Sequence, residues 1–398
     1  MNGKYPYPIE GDFIETKHGH FFEVKGFHQP YPQEDFMVGY IRYAKKNEQF
    51  KDVQVQKDKI NIEDRGNHLK VYSIKDKMSF IQNFISDYTY KTERYYFPMQ
   101  AIPLIDIKRI HRADKFLETY IELKNQSHMQ NERNWKGKSN QKVLKDAVDL
   151  CKLLSQGSGV PLKYFGITGS LLINTGNPQS DIDLIVYGFG NSLNVREYIH
   201  NCFRNADVQK KSKNGNMKCK DLSRYKMKEL KQLYKFRAKK SPISFFDFLK
   251  YEIRKYHQGT FRKRDFFIRY LEHPTREEYR NKNLFFKRKI IALGRITVTG
   301  QVRDDKNWWT TPARVGIANS SVVKKDLKKN YKKILQSHNL KLEQIYQTFT
   351  LRGRYTENVR LLEYFKTQGT LELVKPYQKQ AYLQIGLGNN PGDFLMPI

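Results

Sequence analysis

Apolar and polar residues alternate along much of the first hundred residues, which is the pattern of half-buried strands. The alternation is clearest over 12–28 and 35–44, two runs separated by a proline-containing turn. An amphipathic run begins near Ala113. Residues 1–125 are therefore expected to form a β-rich N-terminal domain that closes with a helix.

The middle of the chain changes to helical spacing. A polar stretch at 126–141 is expected to be a linker, and a helix is expected over 142–154. The apolar positions of that helix are Val143, Ala147, Leu150 and Leu154. Further helices are expected over 192–203, 223–236 and 245–256.

The last third of the chain returns to short strands broken by glycine. This pattern over 285–398 predicts a small β-barrel-like domain, or a sandwich. A basic helix is expected from Lys324 to Leu335. Together the patterns predict an α+β protein, with a mixed core over 142–280 between two β-rich domains and a basic helical insertion at 204–258.

Candidate chemistry is concentrated between Phe165 and Gly188. An apolar strand is followed by Gly169-Ser170, by a turn-rich gap, and by Asp181-Ile182-Asp183 at the start of a second apolar run. Residues two apart on a strand point to the same face, so the two carboxylates are expected to project together. Glycine at a strand-to-helix turn permits close approach of a phosphate.

Two carboxylates on one exposed face are suited to a divalent cation, since hard cations prefer oxygen ligands. A phosphate-binding turn beside such a pair indicates phosphoryl or nucleotidyl transfer. A lone Asp-x-Asp is common at strand ends, and a lone Gly-Ser is almost uninformative. Their order and their strand–turn–helix–turn–strand context favour the functional interpretation.

The Gly169-Ser170 pair followed by Asp181-x-Asp183 resembles the signature of the DNA polymerase beta-like nucleotidyltransferases, which the sequence matches over about residues 163–188. The chain as a whole looks like predicted archaeal nucleotidyltransferases of unknown substrate. The resemblance implies transfer of a nucleoside monophosphate from an NTP to an acceptor hydroxyl, with Mg²⁺ or Mn²⁺ as cofactor. It also implies nucleotide contacts from Gly169, Ser170 and Ser180.

The family uses a third carboxylate on a later strand, so Asp181, Asp183 and one further acid are expected to be catalytic and metal-binding. Asp265 is the preferred third acid, because it lies in an alternating run on the face of Arg269. Asp247 competes, although its surroundings have helical spacing. If neither completes the set, the core binds a nucleotide without turning it over.

Charge broadens the range of partners. The sequence has 72 Lys and Arg against 41 Asp and Glu, a formal net charge of +31, with 26 Tyr and 25 Phe. Such a surplus favours polyanions, and RNA ends or a protein hydroxyl are the acceptors considered. The alternatives are a basic but solvated surface, and a non-catalytic nucleic-acid-binding protein. The expected nucleic-acid contacts are Lys218, Lys220, Arg224 and Lys228.

Compartment and oligomeric state are weakly constrained. Three scattered cysteines without a Cys-x-x-Cys pair argue for a reducing cytoplasm and against a structural zinc site. No apolar run approaches the roughly 18 residues of a membrane span. The oligomeric state and the acceptor are not readable from the sequence.

Overall fold

The computed structural model describes residues 4–47, 60–126, 138–209, 219–237 and 241–398. Helices and several sheets are both present, which confirms the α+β class. Most of the expected linker at 126–141 lies outside the described residues, as does Lys218. Within the described residues, no helix combines the length and the apolar character needed to cross a membrane.

Strands are numbered in chain order. The first eleven are β1 (Phe13–Thr16), β2 (Phe21–Glu23), β3 (Phe36–Val38), β4 (Tyr40–Lys45), β5 (Ile62–Arg65), β6 (His68–Val71), β7 (Thr89–Tyr90), β8 (Met99–Pro103), β9 (Ile107–His111), β10 (Phe165–Ile167) and β11 (Ile182–Tyr187). The others are β12 (Leu222–Ser223), β13 (Gln258–Phe261), β14 (Arg264–Leu271), β15 (Arg288–Asp304), β16 (Ala313–Leu327), β17 (Ile345–Thr350), β18 (Tyr364–Pro376), β19 (Tyr382–Leu387) and β20 (Phe394–Pro397).

The α-helices of the described residues are α1 (Ile74–Phe84), α2 (Ala113–Gln126), α3 (Lys138–Ser158), α4 (Gly169–Leu172), α5 (Phe189–Gln209), α6 (Met227–Arg237), α7 (Phe245–Glu252), α8 (Arg276–Asn281) and α9 (Tyr331–Gln336). The expected helices near 113, 142–154, 192–203, 223–236 and 245–256 are all present. Their ends differ by a few residues from the expected ones, because caps and tertiary packing set helix ends.

The chain divides into two compact units, and both are discontinuous in sequence. The first comprises 1–151, 161–185 and 273–286, and the second comprises 152–160, 186–272 and 287–398. The expected domain boundaries at 125, 141 and 280 stay a prediction.

The first unit contains a six-stranded sheet in the order β5-β6-β4-β2-β1-β9 and a three-stranded sheet in the order β3-β8-β7. The strand pairs of these two sheets are antiparallel. All four residues of β1 are buried, because this strand lies inside the sheet with β2 and β9 on its two sides. Strands β10 and β11 are neighbours in a further sheet.

Buried charge ties the first unit together. The Asp12 carboxylate is fully buried, accepts a hydrogen bond from the backbone N–H of Ala113 at 3.1 Å, and pairs with Arg276. Arg276 also pairs with Asp114 at 2.6 Å. Three segments far apart in sequence therefore meet at one guanidinium group, whose charge offsets the cost of burying Asp12.

In the second unit, the last residues of β11 belong to a sheet whose further strands lie side by side in the order β14, β13 and β12. β13 and β14 form a hairpin whose two turn residues, Arg262 and Lys263, both have positive φ (50° and 68°), as a tight two-residue turn requires. Cys202 of α5 and Cys219 form a disulfide. This pairing was not expected from the scattered cysteines, while Cys151 is free and buried.

The C-terminal strands make a sheet in the order β15-β16-β17-β19-β18-β20, and β15 pairs with β18 as well. The register between β15 and β18 runs from Arg288 opposite Pro376 to Gln301 opposite Tyr364. β17 and β19 are parallel, whereas β15 with β16 and β18, β16 with β17, and β18 with β19 and β20 are antiparallel. The β-rich character of 285–398 is confirmed.

The expected basic helix over Lys324–Leu335 is wrong in its first half. β16 continues to Leu327, because Lys324 and Lys325 pair with Thr297 and Ile296 of β15. Only α9, which begins at Tyr331, is helical. Long-range pairing with β15 thus overrides the helical preference of a lysine-rich run.

Candidate functional site

The Gly169-Ser170 turn and the aspartate pair lie in the first unit, with the turn directly after β10, Asp181 just before β11 and Asp183 within it. Thr168, the last residue before α4, donates its backbone N–H to the Asp183 carbonyl oxygen at 3.0 Å. Its hydroxyl donates to the Gly11 carbonyl oxygen, so it does not cap α4. The expected strand, short helix, turn and strand are therefore present. The hydrogen bond to Gly11 attaches them to the residues just before β1.

Gly169 makes room for Asp183. Its φ is +66°, in the left-handed region that favours glycine, and a Cβ atom placed on it would lie 2.3 Å from Oδ2 of Asp183. Any side chain at this position would displace the carboxylate. The glycine is thus required by the site itself, in addition to the room it would give a phosphate.

The two carboxylates differ in exposure. Asp181 is exposed just before β11, and Asp183 is half-buried within the strand. Ile182 and Leu184 are fully buried, which confirms the expected alternation of carboxylates outward and apolar side chains inward. Asp181 and Asp183 therefore share one face.

The gap between α4 and β11 is a hydrogen-bonded turn. Ser180 is buried, and its hydroxyl accepts the Asn177 backbone N–H at 2.9 Å and donates to Asn177 Oδ1 at 3.2 Å. The structure thus uses Ser180 to shape the turn before Asp181. A contact between Ser180 and a nucleotide stays a prediction.

Two side chains of the N-terminal sheet lie within electrostatic range of the aspartates, and sequence patterning did not identify them. Tyr43 of β4 and Lys70 of β6 are directly opposite one another. Burial raises the pKa of the Tyr43 hydroxyl, Arg42 lowers it, and the charge of Asp183 raises it further. Burial lowers the pKa of Lys70, as do Arg42 and Arg65, whereas Asp181 raises it.

Around Lys70 is a compact set of polar side chains, which we call the β4–β6 cluster. Its members are Arg42, Glu63, Arg65, Lys70 and Tyr72. The Lys70 Nζ lies 4.9 Å from the centre of the Tyr72 ring and the Arg42 Cζ lies 5.9 Å from it. Arg65 pairs with Glu63 through Nε at 2.9 Å, and the Tyr72 hydroxyl donates to Glu63.

Neither candidate third carboxylate belongs to the first unit. Asp265 is the second residue of β14, exposed, and opposite Thr260 of β13. Phe266, Ile268 and Tyr270 are buried, so the expected two-residue alternation of this strand is confirmed. Asp247 lies in the first turn of α7, where Ser244 donates to it at 2.7 Å and Lys250 pairs with it at 2.9 Å. Its helical surroundings are as expected, and the role of Asp265 stays a prediction.

The expected nucleic-acid contacts have different environments. Lys220 and Lys228 are exposed. Arg224 instead donates to the Ile253 carbonyl oxygen at 2.8 Å and lies over the rings of Phe203 (4.9 Å) and Tyr256 (5.1 Å). These contacts fix the position of the Arg224 side chain, and contacts of Lys220, Arg224 and Lys228 with a nucleic acid stay predictions.

The donor set of the first unit fits a magnesium ion. Mg²⁺ is commonly held by one or two carboxylates together with waters and substrate phosphates, and Asp181 and Asp183 provide two carboxylates on one face. Among the described residues, no three His, Cys, Asp or Glu side chains form a metal-binding group.

Comparison with known proteins gives a relative that is itself uncharacterized. The chain is 27% identical over 302 residues to the uncharacterized protein MJ1086 of Methanocaldococcus jannaschii, and the alignment covers 76% of this chain and 78% of that protein. No model of a known protein family matches the chain. No solved structure matches it significantly.

Proposed function

We propose that this protein is a nucleotidyltransferase of the DNA polymerase beta-like class, which moves a nucleoside monophosphate from an NTP to an acceptor hydroxyl. The observation that carries the proposal is the close packing of Gly169 against the carboxylate of Asp183. Gly169 has a left-handed φ, and a Cβ atom on it would collide with the carboxylate of Asp183. The glycine turn and the aspartate pair of the motif are therefore linked sterically.

In this proposal the chain positions groups and contributes little covalent chemistry. Asp181 and Asp183 would hold Mg²⁺ or Mn²⁺, which would supply acidification of the acceptor hydroxyl and charge neutralisation on the triphosphate. The backbone N–H groups and the hydroxyl of the Gly169-Ser170 turn bind phosphate oxygens. Asp265 is proposed as the third acid. Positioning and electrostatics then supply most of the rate.

The acceptor is proposed to be a nucleic acid, with RNA first. The support is the net charge of +31 and a run of exposed lysines in the second unit. We call this run the C-terminal lysine patch, and its members are Lys324, Lys325, Lys328, Lys329, Lys332 and Lys333. Lys325 also lies 5.8 Å from the ring of Tyr331, which places an aromatic side chain within the patch.

The fold of the C-terminal strands is consistent with this acceptor. Since β15 pairs with both β16 and β18, the pairings of β15, β16, β17, β19 and β18 return to their starting strand. We infer a small closed barrel from this cycle. Small barrels of five strands frequently bind oligonucleotides, which is an analogy at the level of the fold.

The test is incubation of the protein with each radiolabelled NTP, Mg²⁺ and total RNA or cell protein. Label transferred to RNA is expected. Asp181→Asn and Asp183→Asn are each expected to reduce transfer by more than about a hundredfold, because each removes a metal-binding charge while leaving the side-chain volume unchanged.

Two further variants locate the third acid. Asp265→Asn is expected to reduce transfer to a similar extent, whereas Asp247→Asn is expected to retain it, because Asp247 accepts a hydrogen bond from the N-cap residue Ser244 and pairs with Lys250. Transfer by the Asp183→Asn variant at the rate of the unmodified protein would refute the assignment. Label on protein alone would replace the acceptor and keep the reaction class.

The alternative is a nucleic-acid-binding protein that retains the core without turnover. The lysine patch and the strand cycle of the second unit favour it, since neither contains a residue of the motif. RNA binding with no label transferred to RNA or protein, from any NTP, would establish this alternative.

A further inference from the structure

The β4–β6 cluster collects like charges at a cost. Arg42 and Lys70 lie over the ring of Tyr72, Arg65 pairs with Glu63 next to them, and each of the two arginines lowers the pKa of Lys70. Cations are seldom brought together in a half-buried site unless a negative charge compensates them. Glu63 compensates part of this charge, through its pairing with Arg65 at 2.9 Å.

The cluster is also built rather than merely exposed. Arg65 has a side chain only 15% exposed, and its Nη1 is buried without a hydrogen-bond partner among the described residues. Tyr72 is held by its hydrogen bond to Glu63, so the ring is fixed between Arg42 and Lys70. Glu63 and Lys70 are directly opposite each other on β5 and β6, and Lys70 and Tyr43 on β6 and β4.

Sheet and motif belong to one unit, which fixes the cluster relative to the aspartates. Thr168 bonds to Gly11, and a Cβ on Gly11 would lie 2.2 Å from Ile185 of β11, so the two segments are in direct contact. Lys70 interacts with Asp181, and Tyr43 with Asp183. If divalent cations neutralise Asp181 and Asp183, the three cations of the cluster outnumber its one remaining acid, Glu63.

We propose that Arg42, Arg65 and Lys70 bind the triphosphate of the incoming nucleotide, so that the N-terminal sheet supplies half of the nucleotide site. Arginine and lysine form strong charge-assisted hydrogen bonds to phosphate oxygens, and the Arg65 Nη1 is a donor ready for one. The inference rests on the proposed function, because it takes the aspartates as the place where the nucleotide is held. It assigns the β-rich segment before the motif a part in substrate binding.

The test measures binding without turnover. A non-hydrolysable NTP analogue, the corresponding NMP and inorganic tripolyphosphate are titrated by calorimetry into the full-length protein with Mg²⁺. Lys70→Ala and Arg42→Ala are each expected to weaken binding of the NTP analogue and of tripolyphosphate by roughly tenfold or more. Binding of the NMP is expected to change by less than about twofold, since it lacks the β- and γ-phosphates.

Lys46→Ala is the matched control. Lys46 directly follows β4, is exposed, and pairs with Asp64 at 2.6 Å. The Lys46→Ala variant therefore loses one positive charge, as Lys70→Ala does, but the charge is not one of the cluster. Its binding constants are expected to equal those of the unmodified protein. Circular dichroism of all variants is used to check that the sheet is retained.

The outcomes separate the inference from the proposed function. If Lys70→Ala and Arg42→Ala bind tripolyphosphate as Lys46→Ala does while Asp183→Asn has lost transfer, the inference is wrong and the function stands. If the unmodified protein binds neither tripolyphosphate nor the NTP analogue, the inference is also wrong. A single-stranded RNA oligonucleotide is titrated into the same variants, and a loss of affinity confined to this RNA would overturn the inference too, because the cluster would then bind the acceptor.

Discussion

At the scale of single residues, the site is defined by one steric relation. Gly169 and Asp183 are separated by a turn and lie on different elements, yet the missing side chain of the first makes the place for the carboxylate of the second. A glycine in a motif is usually credited to backbone freedom or to ligand approach. Here it also determines the position of an acid of the same protein.

Gly169→Ala is expected to reduce label transfer by roughly a hundredfold, because moving a reacting group by about 1 Å has effects of that size. It is also expected to destabilise the protein by about 1–2 kcal/mol through the left-handed backbone. Urea unfolding and the transfer assay measure the two effects separately.

Gly159→Ala is the control for that variant. Gly159 has φ +74° and no atom within 4 Å of a Cβ placed on it, so alanine introduces the same backbone strain without a collision. A comparable loss of stability with unchanged transfer is expected. Equal loss of transfer in both variants would show that strain, and not the position of Asp183, explains the effect.

The site residues that sequence alone could identify are those whose order along the chain is itself the signal. Gly169, Ser170, Asp181 and Asp183 lie within one short stretch. Tyr43 and Lys70 were not identifiable, because their places depend on the pairing of β4 with β6 and on the packing of that sheet. Nothing in the sequence around Lys70 distinguishes it from the many other lysines.

At the scale of elements, local periodicity located helices well and failed where pairing between distant strands decided the outcome. The helix that begins at Ala113 was predicted to start near that residue, since its amphipathic pattern is continuous. Lys324 and Lys325 were misassigned, because their partners on β15 are almost thirty residues earlier in the chain. The discontinuous units were likewise not visible in composition.

A buried carboxylate fastens elements of the second unit to one another. Glu357 is fully buried, pairs with Arg196 of α5, and lies 3.0 Å from Nδ1 of His257. Burial raises the pKa of Glu357, but the hydrogen bond from His257 and the charge of Arg196 outweigh burial and hold its pKa at about 2. At acidic pH values at which Glu357 of the unfolded chain is already protonated, Glu357 of the folded protein therefore stays charged.

The sign of the resulting pH dependence follows from this lowered pKa. Because the folded value is below the unfolded value of 4.5, the stability from Glu357 is fully present above about pH 4.5 and is lost as the pH falls toward 2. The full difference corresponds to about 3 kcal/mol. Urea unfolding of the unmodified protein between pH 7 and pH 2.5 is expected to show the loss.

Glu357→Gln isolates this contribution from those of other carboxylates. The variant is expected to be less stable at pH 7, and its stability is expected to fall less steeply between pH 4.5 and 2.5. If the stability of the two proteins fell equally steeply with pH, the charge of Glu357 would not be the source of this pH dependence.

At the scale of the whole molecule, the excess of 72 basic over 41 acidic residues governs long-range behaviour. Exposed positive charges bind polyanions by releasing their counterions, so affinity falls as salt rises. Two exposed basic surfaces are candidates for this binding. One is α6, with Lys228, Lys231 and Lys235, and the other is the C-terminal lysine patch.

RNA binding is expected to weaken by roughly a thousandfold between 50 and 200 mM salt, as it does when six or more phosphates are contacted. Replacing Lys324, Lys325, Lys328 and Lys329 by glutamine is expected to reduce the slope of log K against log salt by about 3 for single-stranded RNA. Fluorescence anisotropy with a labelled oligonucleotide measures both quantities.

The comparison variant replaces Lys228, Lys231 and Lys235 of α6 by glutamine. A larger change of slope in this variant would move the RNA surface to the basic segment after α5. An unchanged slope in both variants would remove both surfaces from consideration.

The discontinuity of the first unit has a consequence for how the protein is made. Asp12 is buried near the beginning of the chain, and the guanidinium that compensates it belongs to Arg276. In a nascent chain that has emerged only as far as the aspartate motif, Arg276 is not yet available to compensate Asp12. The Asp12 carboxylate must therefore stay hydrated until then. We expect the segment that carries the motif to close only after α8 has left the ribosome, so synthesis itself delays the assembly of the site.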